Sequence, residues 1–134
     1  MATTRAVYYR ESSGAEPVDE FLEGLGDPAA QAALDMQIDR LNGLLANAPP
    51  LPFPHTSQID GPLRELRCHY GSQLYRVLYR RSHNLFVLLH AFRKDSGKVL
   101  RPISRSLAPR WDDFYERMNA DPRVRPRAAG HDGP

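Results

Sequence analysis

The chain has 134 residues, a single cysteine (Cys68) and 25% charged residues, with a formal net charge of +2. One thiol excludes an intramolecular disulfide and a cysteine-built metal cluster, and fits a reducing compartment. The first ten residues carry no apolar run of signal-peptide length, and the longest central apolar stretch, residues 85–91, is too short to cross a bilayer, so a cytoplasmic protein is expected.

In chain order, residues 6–10 (Ala-Val-Tyr-Tyr-Arg) read as a short first strand, broken by Ser12-Ser13-Gly14. Pro17 opens a short helix over residues 17–25, with Asp19 and Glu20 in its first turn, where the helix dipole favours acids. A longer helix is predicted over residues 28–46 behind an Asp27 N-cap. Leu34, Ile38, Leu41 and Leu45 form its apolar stripe. Residues 47–54 are Pro-rich and irregular. Three strands follow, over residues 63–70, 73–81 and 85–92, joined by Gly71-Ser72 and Ser82-His83-Asn84 as an antiparallel meander. A last helix spans residues 103–118, with Pro109 marking a kink or a late start. Residues 119–134 lack apolar periodicity and read as a disordered tail beyond a single domain of residues 1–118. The class is α+β: helices packed on one face of an antiparallel sheet, the other face left as a binding surface.

Charge is unevenly placed along this plan. Residues 1–60 carry 3 basic and 9 acidic side chains, whereas residues 61–117 carry 12 basic and 5 acidic ones. A basic half is the electrostatic footprint of a polyanion binder, although cations also solvate exposed strands. Sixteen of the cations are Arg, the residue suited to bidentate phosphate recognition.

Strand alternation distributes the candidates. Glu65, Arg67 and His69 share a face opposite Leu66 and Cys68. Leu74, Arg76, Leu78 and Arg80 share a face opposite Tyr75, Val77 and Tyr79. In the third strand, Phe86, Leu88, His90 and Phe92 are expected to oppose Leu85, Val87, Leu89 and Ala91. A mid-strand Arg is costly to bury unless it meets an anion or a carboxylate. Arg76 therefore either pairs with Glu65 or faces a bound anion. Arg93-Lys94 ends the third strand as a cationic pair. His90 is either a core histidine or a general acid/base. His55, His69, His83, His90 and His131 show no metal-ligand spacing, so neither metal nor other cofactor is expected. Trp111 and Phe114 read as core anchors, as does Tyr115, with base stacking as its alternative.

Three blocks in order carry a resemblance: Leu63-Arg64-Glu65-Leu66-Arg67, Leu74-Tyr75-Arg76-Val77-Leu78-Tyr79, and Val87-Leu88-Leu89-His90-Ala91-Phe92-Arg93-Lys94, followed by Ala108 and Asp113-Phe114-Tyr115. Together they resemble the phage-derived, HigB-like branch of the RelE/ParE toxin superfamily. That family usually has two lysines where this chain has Arg93-Lys94, and further Lys or Thr where it has Val99-Leu100-Arg101-Pro102.

The resemblance implies a RelE-like fold and a metal-independent endoribonuclease that cuts mRNA in the ribosome, the RNA's own 2′-OH attacking the adjacent phosphate. It implies that Arg67 and Arg76 hold the scissile phosphate. Lys94, with Arg93, would stabilise the transition state or protonate the leaving oxygen, and His90 would shuttle a proton. Arg64, Arg80 and Arg101 would add RNA contacts. It also implies a helix-turn-helix antitoxin as partner, through which the complex would reach operator DNA. Two other functions fit the same residues: a ParE-like gyrase inhibitor, and an inactive prophage-derived binding module.

Overall fold

In the computed structural model, which describes residues 3–94 and 106–129, strand β1 (Arg5–Tyr8) is followed by helices α1 (Pro17–Glu23) and α2 (Pro28–Asp39). Strands β2 (Thr56–Asp60), β3 (Leu63–Tyr70), β4 (Gln73–Ser82) and β5 (Leu85–Arg93) come next, then helix α3 (Ala108–Met118). The five strands form one sheet in the order β1-β5-β4-β3-β2. The expected α+β, RelE-like architecture is present, and β3, β4 and β5 are the antiparallel meander read from the sequence. Strand β1 joins the β5 side in parallel, Arg5 opposite Leu85 and Tyr8 opposite Leu88. A parallel neighbour needs a long crossover, and the two helices supply the first part of it.

Helix α1 lies over β5 and α2 over β3. Their apolar residues Val18, Leu22, Leu34 and Ile38 bury against Leu66, Val77, Tyr79 and Leu88. The Asp27 side chain caps α2, accepting from Ala29 N at 3.0 Å and Ala30 N at 3.2 Å. This helix ends at Asp39, well short of the expected 46. Thr4 is the cause. Its hydroxyl donates to Leu41 O at 2.7 Å and accepts from Leu44 N at 3.0 Å, and its carbonyl takes Gly43 N at 2.8 Å. The groups that another helical turn would use are thereby bound to the N-terminal segment. Gly43, at φ +75°, makes the turn, and Leu45 drops off the stripe to 46% exposure.

Strand β2 was not legible in the sequence. Its Thr-Ser-Gln-Ile-Asp stretch is short and polar, as suits the open edge of a sheet.

The second sheet face is not free, contrary to expectation. Leu63, Leu78, Val87 and Leu89 line it, and Leu107 and Phe114 from the α3 region together with Ala128 and Ala129 cover them. Four apolar residues on one face require such a lid. Pro109 falls in the first turn of α3, as a late start. The part of that prediction at residues 103–105 lies outside the described residues. Tyr115 is 59% exposed, not a core anchor, whereas Phe114 is buried and Trp111 half-buried.

Residues 119–129 also depart from the disordered tail expected over 119–134, of which residues 130–134 lie outside the described residues. Arg10 N donates to Ala128 O at 2.5 Å, and Ala129 bridges Tyr9. Arg117 is the clamp: it donates to Asp113 Oδ2 at 3.0 Å, to Arg10 O at 2.6 Å and to Pro126 O. The Tyr9 hydroxyl donates to the same Asp113 oxygen at 2.6 Å. Burial, then this hydrogen bond, push the Tyr9 phenol above its ordinary range. Arg117→Ala is expected to cost about 3 kcal/mol, since it strips three charge-assisted bonds from part-buried acceptors. It should also hasten tryptic cutting after Arg123 and Arg127; unchanged digestion would show that the clamp does not hold the segment.

Candidate functional site

Pairing across the meander decides which cations meet. Arg67 lies opposite Arg76, and Arg76 opposite Phe92. The register slips between Leu78 and Tyr79, which pair with His90 and Leu88, so that Leu89 is the extra residue of a bulge. Beyond that point the alternation of β5 inverts. Leu89, His90 and Phe92 share the face of Leu78 and Arg76, while Phe86, Leu88 and Ala91 pack under the helices. The expectation that His90 sides with Phe86 and Leu88 is therefore corrected: one inserted residue moves it to the opposite face. By the same alternation Lys94, whose amide donates to Leu74 O at 2.8 Å, falls on the Arg76 face.

Arg67, Arg76, His90 and Lys94 thus converge on one face at one end of the meander. Arg76 does not stand exposed there, as a phosphate-binding cation would. It is 1% exposed, with its Nε 3.5 Å from Glu65 Oε2 and its NH1 donating to Tyr75 O at 2.9 Å. The cross-strand pairing weighed from the sequence is the one present. Burial pushes the Arg76 guanidinium below its ordinary range; Glu65 opposes that and Arg67 adds to it. Glu65, itself 3% exposed, accepts on Oε1 from Ser57 Oγ at 2.8 Å and from Arg67 NH1 at 3.3 Å.

Two guanidinium groups share one carboxylate, so a positive charge is left over. Arg67, at 22% side-chain exposure, is the member that meets solvent. Its guanidinium also lies 4.8 Å from the Phe53 ring centroid.

The remaining candidates disperse. Arg64 sits on the helix side, opposite Tyr79, and donates to Thr56 Oγ1 at 2.8 Å. Arg93 is opposite Tyr75 and exposed on that same side. Arg80 shares the Arg76 face but at its far end, stacked 4.1 Å over Trp111. Arg101 lies outside the described residues. As one cluster, then, the RNA-contact set Arg64, Arg80 and Arg93 does not form, because strand alternation and length separate its members.

Two contributors are not signalled by the sequence as site residues. Ser57 belongs to the polar edge strand. Arg110 reaches from α3 to donate to Leu89 O at 2.6 Å, and its NH1 lies 3.4 Å from His90 Nδ1. No periodicity reveals that α3 crosses β5 at the bulge. Burial first, and Arg110 second, push the His90 imidazole below its ordinary range. Among the described residues, no three His, Cys, Asp or Glu side chains converge as a metal site, and no helix is long and apolar enough to cross a membrane.

The sequence profile of the phage-derived Gp49-like proteins (DUF891) matches residues 20–102. The chain belongs to the Gp49-like family. That family is part of the RelE/ParE-like toxin superfamily. No curated protein and no solved structure matches the chain. The Gp49-like match takes in Glu65, Arg67, Arg76, His90 and Lys94; β1, Arg110 and the clamped segment after α3 lie outside it.

Proposed function

We propose that this Gp49-like protein is the toxin of a toxin–antitoxin pair and a HigB-like endoribonuclease acting on ribosome-bound mRNA. The observation that carries this reading is that Arg67, Arg76, His90 and Lys94 share one sheet face at one end of the meander, with Arg67 and Arg76 on a single carboxylate, within the family-matched span. An excess of fixed positive charge beside half-buried donors suits a phosphate whose charge grows during reaction.

In the reaction, the 2′-oxygen attacks the adjacent phosphorus and the bond from phosphorus to the 5′-oxygen breaks. The products are a 2′,3′-cyclic phosphate and a 5′-hydroxyl. The 2′-OH proton passes to solvent, and the Lys94 ammonium supplies the proton taken by the 5′-oxygen. Arg67 contacts the scissile phosphate. Arg76 acts behind it, holding Glu65 and through Glu65 the Arg67 fork. His90 hydrogen-bonds at the reacting phosphate. A helix-turn-helix antitoxin would restrain the toxin by covering this charge.

Induced expression without a partner should arrest growth, stop protein synthesis and leave translated mRNAs cut. Growth and translation that continue under strong expression would refute the toxin function. Arrest with DNA damage and intact mRNA would point instead to a gyrase inhibitor.

A further inference from the structure

The bulge in β5 brings His90 against α3, and what it meets there fixes its chemistry. Arg110 NH1 lies 3.4 Å from Nδ1 while the same nitrogen donates to Leu89 O at 2.6 Å. A guanidinium has donors only. For this contact to be a hydrogen bond Nδ1 offers its lone pair, and in a neutral ring the proton then resides on Nε2. The ring is further held by Phe92, stacked at 5.7 Å between centroids and 25° between planes.

The surroundings keep the ring neutral. The charged groups on its face are Arg110 from α3, Arg76 diagonally on β4, the Glu65–Arg67 pair on β3, and Lys94 further along its own chain. Glu65 lies one strand beyond Leu78, the direct partner of His90, and is already engaged by both arginines. A proton added to His90 would sit beside a guanidinium with no described carboxylate in contact. Half-burial works in the same direction.

We propose that Arg110 is a positioning residue that locks His90 as its Nε2–H tautomer, so that His90 meets the substrate as a hydrogen-bond donor and not as a base or proton shuttle. The functional half of this inference rests on the ribonuclease reading; the tautomer does not. It revises the role that family resemblance gives to His90. A neutral imidazole with its only lone pair on Arg110 has nowhere to accept the 2′-OH proton. It can donate to a non-bridging phosphoryl oxygen, while proton traffic runs through Lys94 and solvent.

Long-range 1H–15N spectra of the labelled full chain report the tautomer directly, with His90→Gln identifying the His90 signals by their loss. At neutral pH the wild type should show a protonated Nε2 and a bare Nδ1, and the ring should titrate below the ordinary 6.5 or so. Arg110→Met should move the titration upward only part of the way, because burial still holds it down, and should mix the two tautomers; Arg110→Lys should restore part of the wild-type pattern. A proton on Nδ1 in the wild type overturns the inference, as does an Arg110→Met spectrum that does not move. If Arg110→Met fails to fold, the wild-type spectrum alone decides.

Cleavage gives the second readout. His90→Ala should lose about a hundredfold, as for removal of one oxyanion donor. His90→Gln, whose amide N–H can stand in for Nε2–H, should recover most of that. If Gln is as inactive as Ala in folded protein, His90 moves a proton and its assignment as a donor is wrong. If the wild type cuts no RNA while the spectra match expectation, the ribonuclease reading fails and the tautomer lock stands.

Discussion

Arg67→Ala should reduce mRNA cleavage by roughly a hundredfold to a thousandfold, the effect of removing one preorganised charge contact worth about 2.7–4 kcal/mol of barrier. Arg67 is the exposed member of the Glu65 network, so its removal costs little fold. The pair is largely buried, but Glu65 keeps Arg76 and Ser57, so it contributes on the order of 1–2 kcal/mol. Arg67→Lys keeps the charge but loses the planar fork that Glu65 and Phe53 hold, and should fall between wild type and Ala. Single-turnover cleavage on programmed ribosomes, with a thermal midpoint for each variant, separates rate from stability. A folded Arg67→Ala protein cutting at the wild-type rate would remove this residue from the phosphate site and with it the proposed mechanism.

Arg76→Ala should act first on stability. Deleting one partner of a buried ion pair strands the other, at a cost of about 3–5 kcal/mol. For a chain of this size that lowers the thermal midpoint on the order of 10 °C. Glu65 keeps Ser57 and Arg67 as partners, which places the expected cost near the lower bound. Replacing both charges, Glu65→Leu with Arg76→Met, should recover most of the loss, because apolar pairs of similar volume substitute well for buried ions. The two single substitutions should be non-additive, since the groups touch. The double variant should fold and still be impaired in cleavage, because Arg67 has lost its anchor. If Arg76→Ala melts with the wild type, the buried pair is not holding this end of the sheet.

Much of this arrangement can be read from the residues alone. The meander is written in period-2 alternation and in two short turns, and Asp27 announces α2. The Glu65–Arg76 alternatives followed from alternation alone; burial chose between them. The rest was invisible for specific reasons. Residues 85–92 are almost continuously apolar, and a period cannot show where an extra residue enters such a run. The bulge at Leu89 therefore left no trace, and it is the bulge that brings His90 to Arg76 and Arg110. Helix α2 kept its stripe past Asp39, but Thr4, far away in sequence, had already claimed the backbone groups at Leu41, Gly43 and Leu44. The segment after α3 lacked periodicity because two small side chains, Ala128 and Ala129, and a main-chain bridge to Tyr9 hold it.

The parallel seam between β1 and β5 has a consequence for synthesis. Residue 5 cannot find residue 85 until β5 has been made, nor Tyr9 find Ala129 until the segment after α3 has been. Contacts of such high sequence separation fold late, after the entropy of closing a long loop has been met. The β3–β4 hairpin can form as it emerges, but β1 and α1, which both lie against β5, wait for that strand. During that interval β1 has no sheet partner, so the β1–β5 seam is the last part of the sheet to close.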